Sequence, residues 1–312
     1  TKDLLPRYTK PNKVKQALAW VPKALLFPLK ALLSSLAFSK VKEKLGKNFL
    51  LGVSGGGSFS ESCETFFRAV GIHVVNGYGM TETSPVISLQ LFSKPTKGTM
   101  KPLHCNTVEI RDENGVVLGP GKKGVLFVKG RNVMQGYYKK PEATAKIIGK
   151  DGYINTGDLC VMTEDGLITI VGRAKDTIVL SGGENVEPVP IEAALNDSPY
   201  IETAVVVGQD EKYLSALIVP NTKEIERYLK DNKVFYVARE NLREMEEVKK
   251  LIDGEIRRLV NRETGFKSFE EINRFALLPK SFEVNVELSG KQELKRFKIA
   301  ELYKEEIKSC YN

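Results

Sequence analysis

The sequence predicts an α/β unit joined to a barrel-like β subdomain, followed by a smaller α+β domain. Three observations predict this. A strand–helix–strand pattern with a glycine loop after each strand runs from Phe49 to Pro85, as in parallel units that bind ligands at the carboxyl ends of their strands. From residue 98 to 172 the pattern changes to short strands separated by turn residues. Two glycine turns, Thr156-Gly157-Asp158 and Ser181-Gly182-Gly183, then flank a charged joint, Arg173-Ala174-Lys175-Asp176. The expected boundaries are residues 1–172, holding the α/β unit (49–90) and the β subdomain (98–172), a hinge at 173–176, and a second domain at 177–312.

A chain of 312 residues can bury two separate cores. Its 47 Lys and Arg against 39 Asp and Glu leave a net charge of +8, a balance that raises nucleic acid as a partner. The two signs are interleaved, however, most densely after residue 221. The expectation is therefore an anionic small ligand and no nucleic acid. Cys63, Cys105, Cys160 and Cys310 lie far apart with no C-x-x-C, which excludes the usual zinc spacings and argues against a disulfide framework. A reducing cytoplasm is the expected home. His73 and His104 are the only histidines, too few to build a histidine metal site.

In chain order, residues 1–48 are basic and punctuated by proline. The run Trp20–Phe38 is the most apolar, but Pro22, Lys23, Pro28 and Lys30 interrupt it well short of the ~20 apolar residues of a bilayer span. Two readings stay open: a basic amphipathic surface docking peripherally on the inner face of a membrane, or a helix packed on its own domain. Ser39–Lys47 reads as a charged helix end stopped by Gly46. Phe49–Val53 is a buried strand, Ser60–Val70 a helix with Phe66 and Phe67 inward, and Ile72–Val75 the next strand. In the β subdomain, Val108–Arg111 and Val116–Leu118 flank a turn, Val125–Lys129 follows, and Leu159–Met162 pairs with Leu167–Val171 around Asp165-Gly166. Beyond the joint come a strand at Asp176–Leu180, a helix at Pro190–Asn196, strands at Glu202–Gly208 and Leu214–Pro220, and helical Thr222–Gly265. A strand at Phe275–Leu278 and an amphipathic helix at Leu294–Lys308 close the chain.

Three constellations could carry chemistry. Gly52-Val53-Ser54-Gly55-Gly56 fits the nucleophile-elbow pattern G-x-S-x-G, but no histidine follows His104 to complete a triad. The alternative is that these glycines let a ligand lie flat against the backbone. Tyr78-Gly79-Met80-Thr81-Glu82-Thr83 combines a ring that can stack on a base, hydroxyls for phosphate oxygens and a carboxylate for Mg²⁺; the competing reading is core and cap. Asp158, presented by a glycine turn, is suited to a ribose diol or to a plain Asx-turn.

Taken together, GYGMTETSP at 77–85, GYYKKPEAT at 136–144, DGYINTGDL at 151–159 and GRAKDTIVLSGGENVEPVPIE at 172–192 resemble the adenylate-forming enzymes, nearest the long-chain fatty acid:CoA ligases. The resemblance runs from about Lys40 to the C-terminus. It implies the remnant of a large N-terminal domain and a mobile C-terminal one. It also implies a reaction in which fatty acid and ATP give an acyl-adenylate, whose AMP is then displaced by the thiol of CoA. Residue by residue, it places Gly55, Gly56 and Gly57 in an adenine wall, Tyr78 and Gly79 against adenine, and Thr81 on the α-phosphate. Glu82 would hold Mg²⁺, and Asp158 and Arg173 the ribose. Lys175 would be the pivot, and Gly182, Gly183 and Glu184 would line a channel for the arm of CoA.

The family also supplies a lysine near the C-terminus to offset the negative charge of two reacting anions. Ser289-Gly290-Lys291 and Leu294-Lys295-Arg296 provide two candidates, Lys291 first and Lys295 second. Nothing in residues 1–76 matches the family's upstream phosphate loop, so a truncated chain beginning at Thr1 is expected. The alternatives are a non-catalytic module that binds AMP or acyl-adenylate, and a ligase whose acceptor is an acyl-carrier protein. The sequence carries no signal for oligomeric state.

Overall fold

The computed structural model describes residues 43–46, 48–57, 61–91, 98–236 and 239–312. The Trp20–Phe38 run and the start of the expected helix at Ser60 lie outside them. The chain divides into two units, at Ile170 and Val171.

In the first unit, strands β1 (Gly52–Gly55) and β2 (Val74–Gly79) pair in parallel across helix α1 (Glu61–Val70); β1 begins later than the expected Phe49–Val53 strand and is not buried, since Leu50, Leu51 and Val53 are exposed. Strands β3 (Val86–Leu89) and β4 (Lys101–Pro102) extend this sheet antiparallel, in the order β1-β2-β3-β4. The helix does not turn Phe66 inward: its buried positions are Glu64 and Val70, and Phe66 is exposed. Spacing explains this, since 64, 67 and 70 share one helical stripe that 66 falls outside. Glu64 is accommodated by Arg68 and by the Gln90 amide, which donates to it at 2.9 Å.

A second sheet holds β5 (Asn106–Arg111), β6 (Lys123–Gly130), β7 (Ile154–Met162) and β8 (Ile168–Arg173) in that order. It is an open sheet, not a closed barrel. Period-2 patterning is clear in β6, where Gly124, Leu126 and Val128 point inward. They join Ile87, Met100, Ile110, Ile154, Cys160 and Ile168 in one core. The short helix α2 (Pro141–Ile147) lies between β6 and β7. Val116–Leu118 does not become a full strand and makes a single bridge, Arg111 to Val117. The Asp112 carboxylate accepts the Asn114 and Val116 amides at 2.9 Å each, an Asx-type turn that competes with a ladder.

The second unit opens with the short pair β9 (Ile178–Val179) and β10 (Asn185–Val186), then helix α3 (Pro188–Leu195). Its main sheet places β12 (Leu214–Pro220) between antiparallel β11 (Ile201–Val207) and parallel β13 (Ile272–Leu277). Every residue of β12 is buried, because both faces are covered. Leu214, Ala216 and Ile218 pack under α3, α4 (Thr222–Asp231) and α5 (Glu246–Leu259). Leu217 and Val219 face the opposite way, with Ile299 and Tyr303. The expected closing helix is two, α6 (Arg296–Leu302) and α7 (Lys304–Ser309), broken at Tyr303. There the Tyr303 hydroxyl donates to buried Glu287 at 2.8 Å.

Candidate active site

The carboxyl end of β2 assembles the first cluster. Gly55 lies opposite Gly77 in the parallel ladder, and a Cβ at Gly55 would stand 3.0 Å from the Gly77 carbonyl oxygen. At Gly56 and Gly57 a Cβ would meet no described atom, and backbone without a Cβ is what a flat ligand can lie against. One residue past Gly77, the Tyr78 hydroxyl donates to Asp158 Oδ2 at 2.5 Å. Burial first, and the Asp158 charge second, push the Tyr78 pKa far up, so the phenol stays protonated and remains a donor. Asp158 is itself buried and lies within β7 rather than on the expected turn; it follows Gly157, whose φ of +72° calls for glycine where the β6–β7 register shifts.

Gly79 turns the strand. A Cβ there would overlap the Pro85 carbonyl, so only glycine lets the chain fold back on itself. The following Thr81–Thr83 forms one 3₁₀ turn. Thr83 is buried and donates to the Met80 and Pro85 carbonyls at 2.9 Å each, while Thr81 is exposed. Glu82 accepts the Tyr137 hydroxyl at 2.7 Å, which raises the Tyr137 pKa. Asn132 braces the turn from β6's far end, donating to the Thr83 and Val86 carbonyls at 2.8 and 2.9 Å. Sequence reasoning missed both partners. Tyr137 lies within the GYYKKPEAT motif at 136–144, but nothing marked Asn132, whose role exists only across 49 residues of chain.

Among the described residues no group of three or more His, Cys, Asp or Glu side chains could hold a metal. A single carboxylate such as Glu82 nevertheless suits Mg²⁺, which keeps several waters and takes further oxygens from substrate phosphates.

In the second unit, Arg173 and Lys175 are exposed, and Ala174–Asp176 forms a 3₁₀ turn. Gly183 adopts a φ of +88° and donates its amide to the Leu180 carbonyl at 2.8 Å, closing the Ser181–Glu184 turn. Farther on, the Ser289 hydroxyl accepts the Lys291 and Glu293 amides at 3.2 and 3.1 Å. Lys291 stands at the tip of this turn, exposed and with no side-chain hydrogen bond or ion pair among the described residues. Lys295, by contrast, donates its ammonium to the Asn285 carbonyl at 2.8 Å.

Known proteins match this arrangement. Residues 17–138 match the AMP-binding enzyme family, and residues 175–312 match the AMP-binding enzyme C-terminal domain. The chain belongs to the AMP-binding enzymes. Among curated AMP-binding relatives, it is 37% identical over 299 residues to a probable chloroplastic acyl-activating enzyme 16 of Arabidopsis thaliana, covering 92% of this chain and 41% of that one. It is 43% identical over 216 residues to the chloroplastic long-chain-fatty-acid–[acyl-carrier-protein] ligase AEE15 of the same plant, covering 65% and 30%. It is 32% identical over 294 residues to the long-chain-fatty-acid–CoA ligase FadD15 of Mycobacterium bovis, covering 93% and 47%. The chain thus spans less than half the length of each. Among solved structures, the A domain of a carboxylic acid reductase from Segniliparus rugosus, in complex with AMP and a co-purified carboxylic acid, superposes with a TM-score of 0.66 at 26% identity, over 83% of this chain and 39% of that one.

Proposed function

We propose that this AMP-binding protein takes part in activating a long-chain fatty acid with ATP, forming an acyl-adenylate and transferring the acyl group to a thiol. The observation that carries the reading is the arrangement around β2. A buried carboxylate (Asp158) and an aromatic ring (Tyr78) meet at a glycine-lined strand end, with a second carboxylate (Glu82) four residues farther on. Asp158 and Arg173 bind the ribose hydroxyls. The open backbone at Gly56 and Gly57 admits the adenine ring. Glu82 would hold Mg²⁺, which when bound would supply positive charge to the substrate phosphates. Thr81 donates to the α-phosphate. Lys175 is the pivot, and Gly182, Gly183 and Glu184 line the path of the thiol arm.

Lys291 supplies positive charge where carboxylate and phosphate, two anions, come together. Its ammonium is uncommitted, whereas that of Lys295 already has an acceptor, which favours Lys291 of the two. A cation ~4 Å from a developing charge contributes on the order of 4 kcal/mol at intermediate dielectric. Lys291→Ala is therefore expected to slow adenylation by roughly 10²–10³, much as loss of an oxyanion donor does. Pyrophosphate release from fatty acid and ATP, measured on the full-length protein that carries these residues, checks it. A parental rate in that variant would pass the role to Lys295, and no release from the parent would leave only a nucleotide-binding module.

The acceptor thiol has two candidates. Similarity to CoA ligases supports free CoA, and the higher identity to an acyl-carrier-protein ligase supports a carrier-bound pantetheine. Supplying each thiol to the preformed acyl-adenylate separates them.

A further inference from the structure

Between Glu287 and Arg296 the chain leaves the body of the second unit, makes the turn that carries Lys291, and returns. Both ends of this loop are pinned by buried carboxylates. At the first, Glu287 is 1% exposed and accepts the Tyr303 hydroxyl at 2.8 Å and the Glu283 amide at 3.0 Å. Its own carbonyl accepts the Lys295 amide at 2.8 Å, closing the loop's base. At the second, Arg296 forms a bidentate pair with Glu192, its two terminal nitrogens 2.8 and 2.6 Å from the two carboxylate oxygens. Glu192 is 5% exposed and is held in turn by the Val206 amide at 2.8 Å.

The same guanidinium reaches the joint. Arg296 Nε lies 3.6 Å from Asp176, immediately after Lys175. A second, reciprocal pair runs the other way, with Arg173 3.8 Å from Glu293. This outer pair is exposed on both sides and holds little by itself. The inner one is bidentate and shielded, the geometry in which an arginine fork fixes direction as well as distance. A lysine could keep the charge at 296 but could not reproduce the fork.

We infer that Arg296 and Glu192 are positioning residues for adenylation: their shielded fork, with Asp176 as its third member, fixes the Lys291 turn relative to the joint at 173–176. The inference rests on the proposed role of Lys291 and adds the device that aims it. Neither residue touches substrate. Both act through the loop, whose tip has no side-chain anchor of its own at Lys291.

Arg296→Lys, Glu192→Gln and Lys291→Ala, made in the full-length protein, test it. Arg296→Lys and Glu192→Gln are each expected to lower kcat for pyrophosphate release by about 10- to 100-fold, the cost of misplacing a reacting group by about 1 Å. KM for ATP should change less than about twofold, because ground-state binding is left alone. Thioester formation from supplied acyl-adenylate should be unaffected, since it does not use Lys291. If Lys291→Ala is impaired while Arg296→Lys and Glu192→Gln are not, the positioning role is wrong. If Lys291→Ala adenylates at the parental rate, the role of Lys291 is wrong. Amide exchange reports the loop without turnover: in Arg296→Lys the amides of 289–293 should exchange faster while those of β12 keep their protection. Unchanged loop exchange, or loss of protection in β12 as well, overturns the inference.

Discussion

Tyr78 and Asp158 stand 80 positions apart in the chain, and one hydrogen bond joins them at the end of β2. The carboxylate is buried, and a buried charge is tolerated only where donors meet it. Tyr78→Phe keeps the ring and removes one donor. It is expected to cost the first unit about 1–3 kcal/mol, the range for an acceptor stripped of its partner, read from the urea midpoint at constant m-value. The same variant should keep most of its affinity for AMP if the ring supplies stacking, and a variant that loses binding outright would give the hydroxyl the larger role. Asp158 and Tyr78 were both readable as candidates because each sat in a glycine-flanked motif. Their mutual bond was not, since nothing local to either residue encodes a partner in another strand.

At the scale of elements, the return of the chain after β2 depends on Gly79. An alanine methyl there would overlap the Pro85 carbonyl, which is backbone and cannot rotate away. Gly79→Ala is expected to separate β2 from β3 and cost at least about 1–3 kcal/mol, as overpacking does. Gly157→Ala meets no neighbouring atom and should cost only the strain of its φ of +72°. Thermal melts of the two variants order them. The loop carrying Lys291 is pinned by Glu287, whose pKa follows from competing effects. Burial pushes it up, but the Glu283 amide and the Tyr303 hydroxyl outweigh this and hold it below the ordinary glutamate value of 4.5. A lowered folded pKa means that the unfolded chain takes up the proton more readily. The stabilisation is therefore complete above pH 4.5 and is lost as pH falls through the lower, folded value. Glu287→Gln should flatten that acid limb in a pH series of melting temperatures, and an unchanged limb would assign the sensitivity elsewhere.

At the scale of the molecule, the cores are separate. Ile87, Leu126, Ile154 and Ile168 lie in a core of the first unit, whereas Leu217, Val219 and Ile299 lie in one of the second. Leu217→Ala, at a fully buried position, is expected to destabilise the second unit by about 2–5 kcal/mol. Calorimetry should show the transition of the second unit falling while that of the first stays in place. A single transition that shifts as a whole would instead mean that the units unfold together. The net charge of +8 is in keeping with a substrate of anions, which in the proposed chemistry are met by Lys291 of the second unit.

Local pattern by itself determined the parallel unit with its glycine loops, the strand at Leu214–Pro220 and the order of the motifs that mark the AMP-binding enzymes. Period, turn chemistry and spacing are all written within a few residues of one another. Only the tertiary structure decided that Phe66 faces out, that Val116–Leu118 yields to the Asp112 turn and that the last helix breaks at Tyr303. It also decided that Tyr137 and Asn132 brace the Glu82 turn, and that Glu192 grips Arg296 across 104 positions of chain. For the carboxylates the physical reason is that a buried polar group takes whichever partner the folded chain brings near, as Glu192 does with Arg296 and Glu287 with Tyr303, and sequence distance does not restrict that choice.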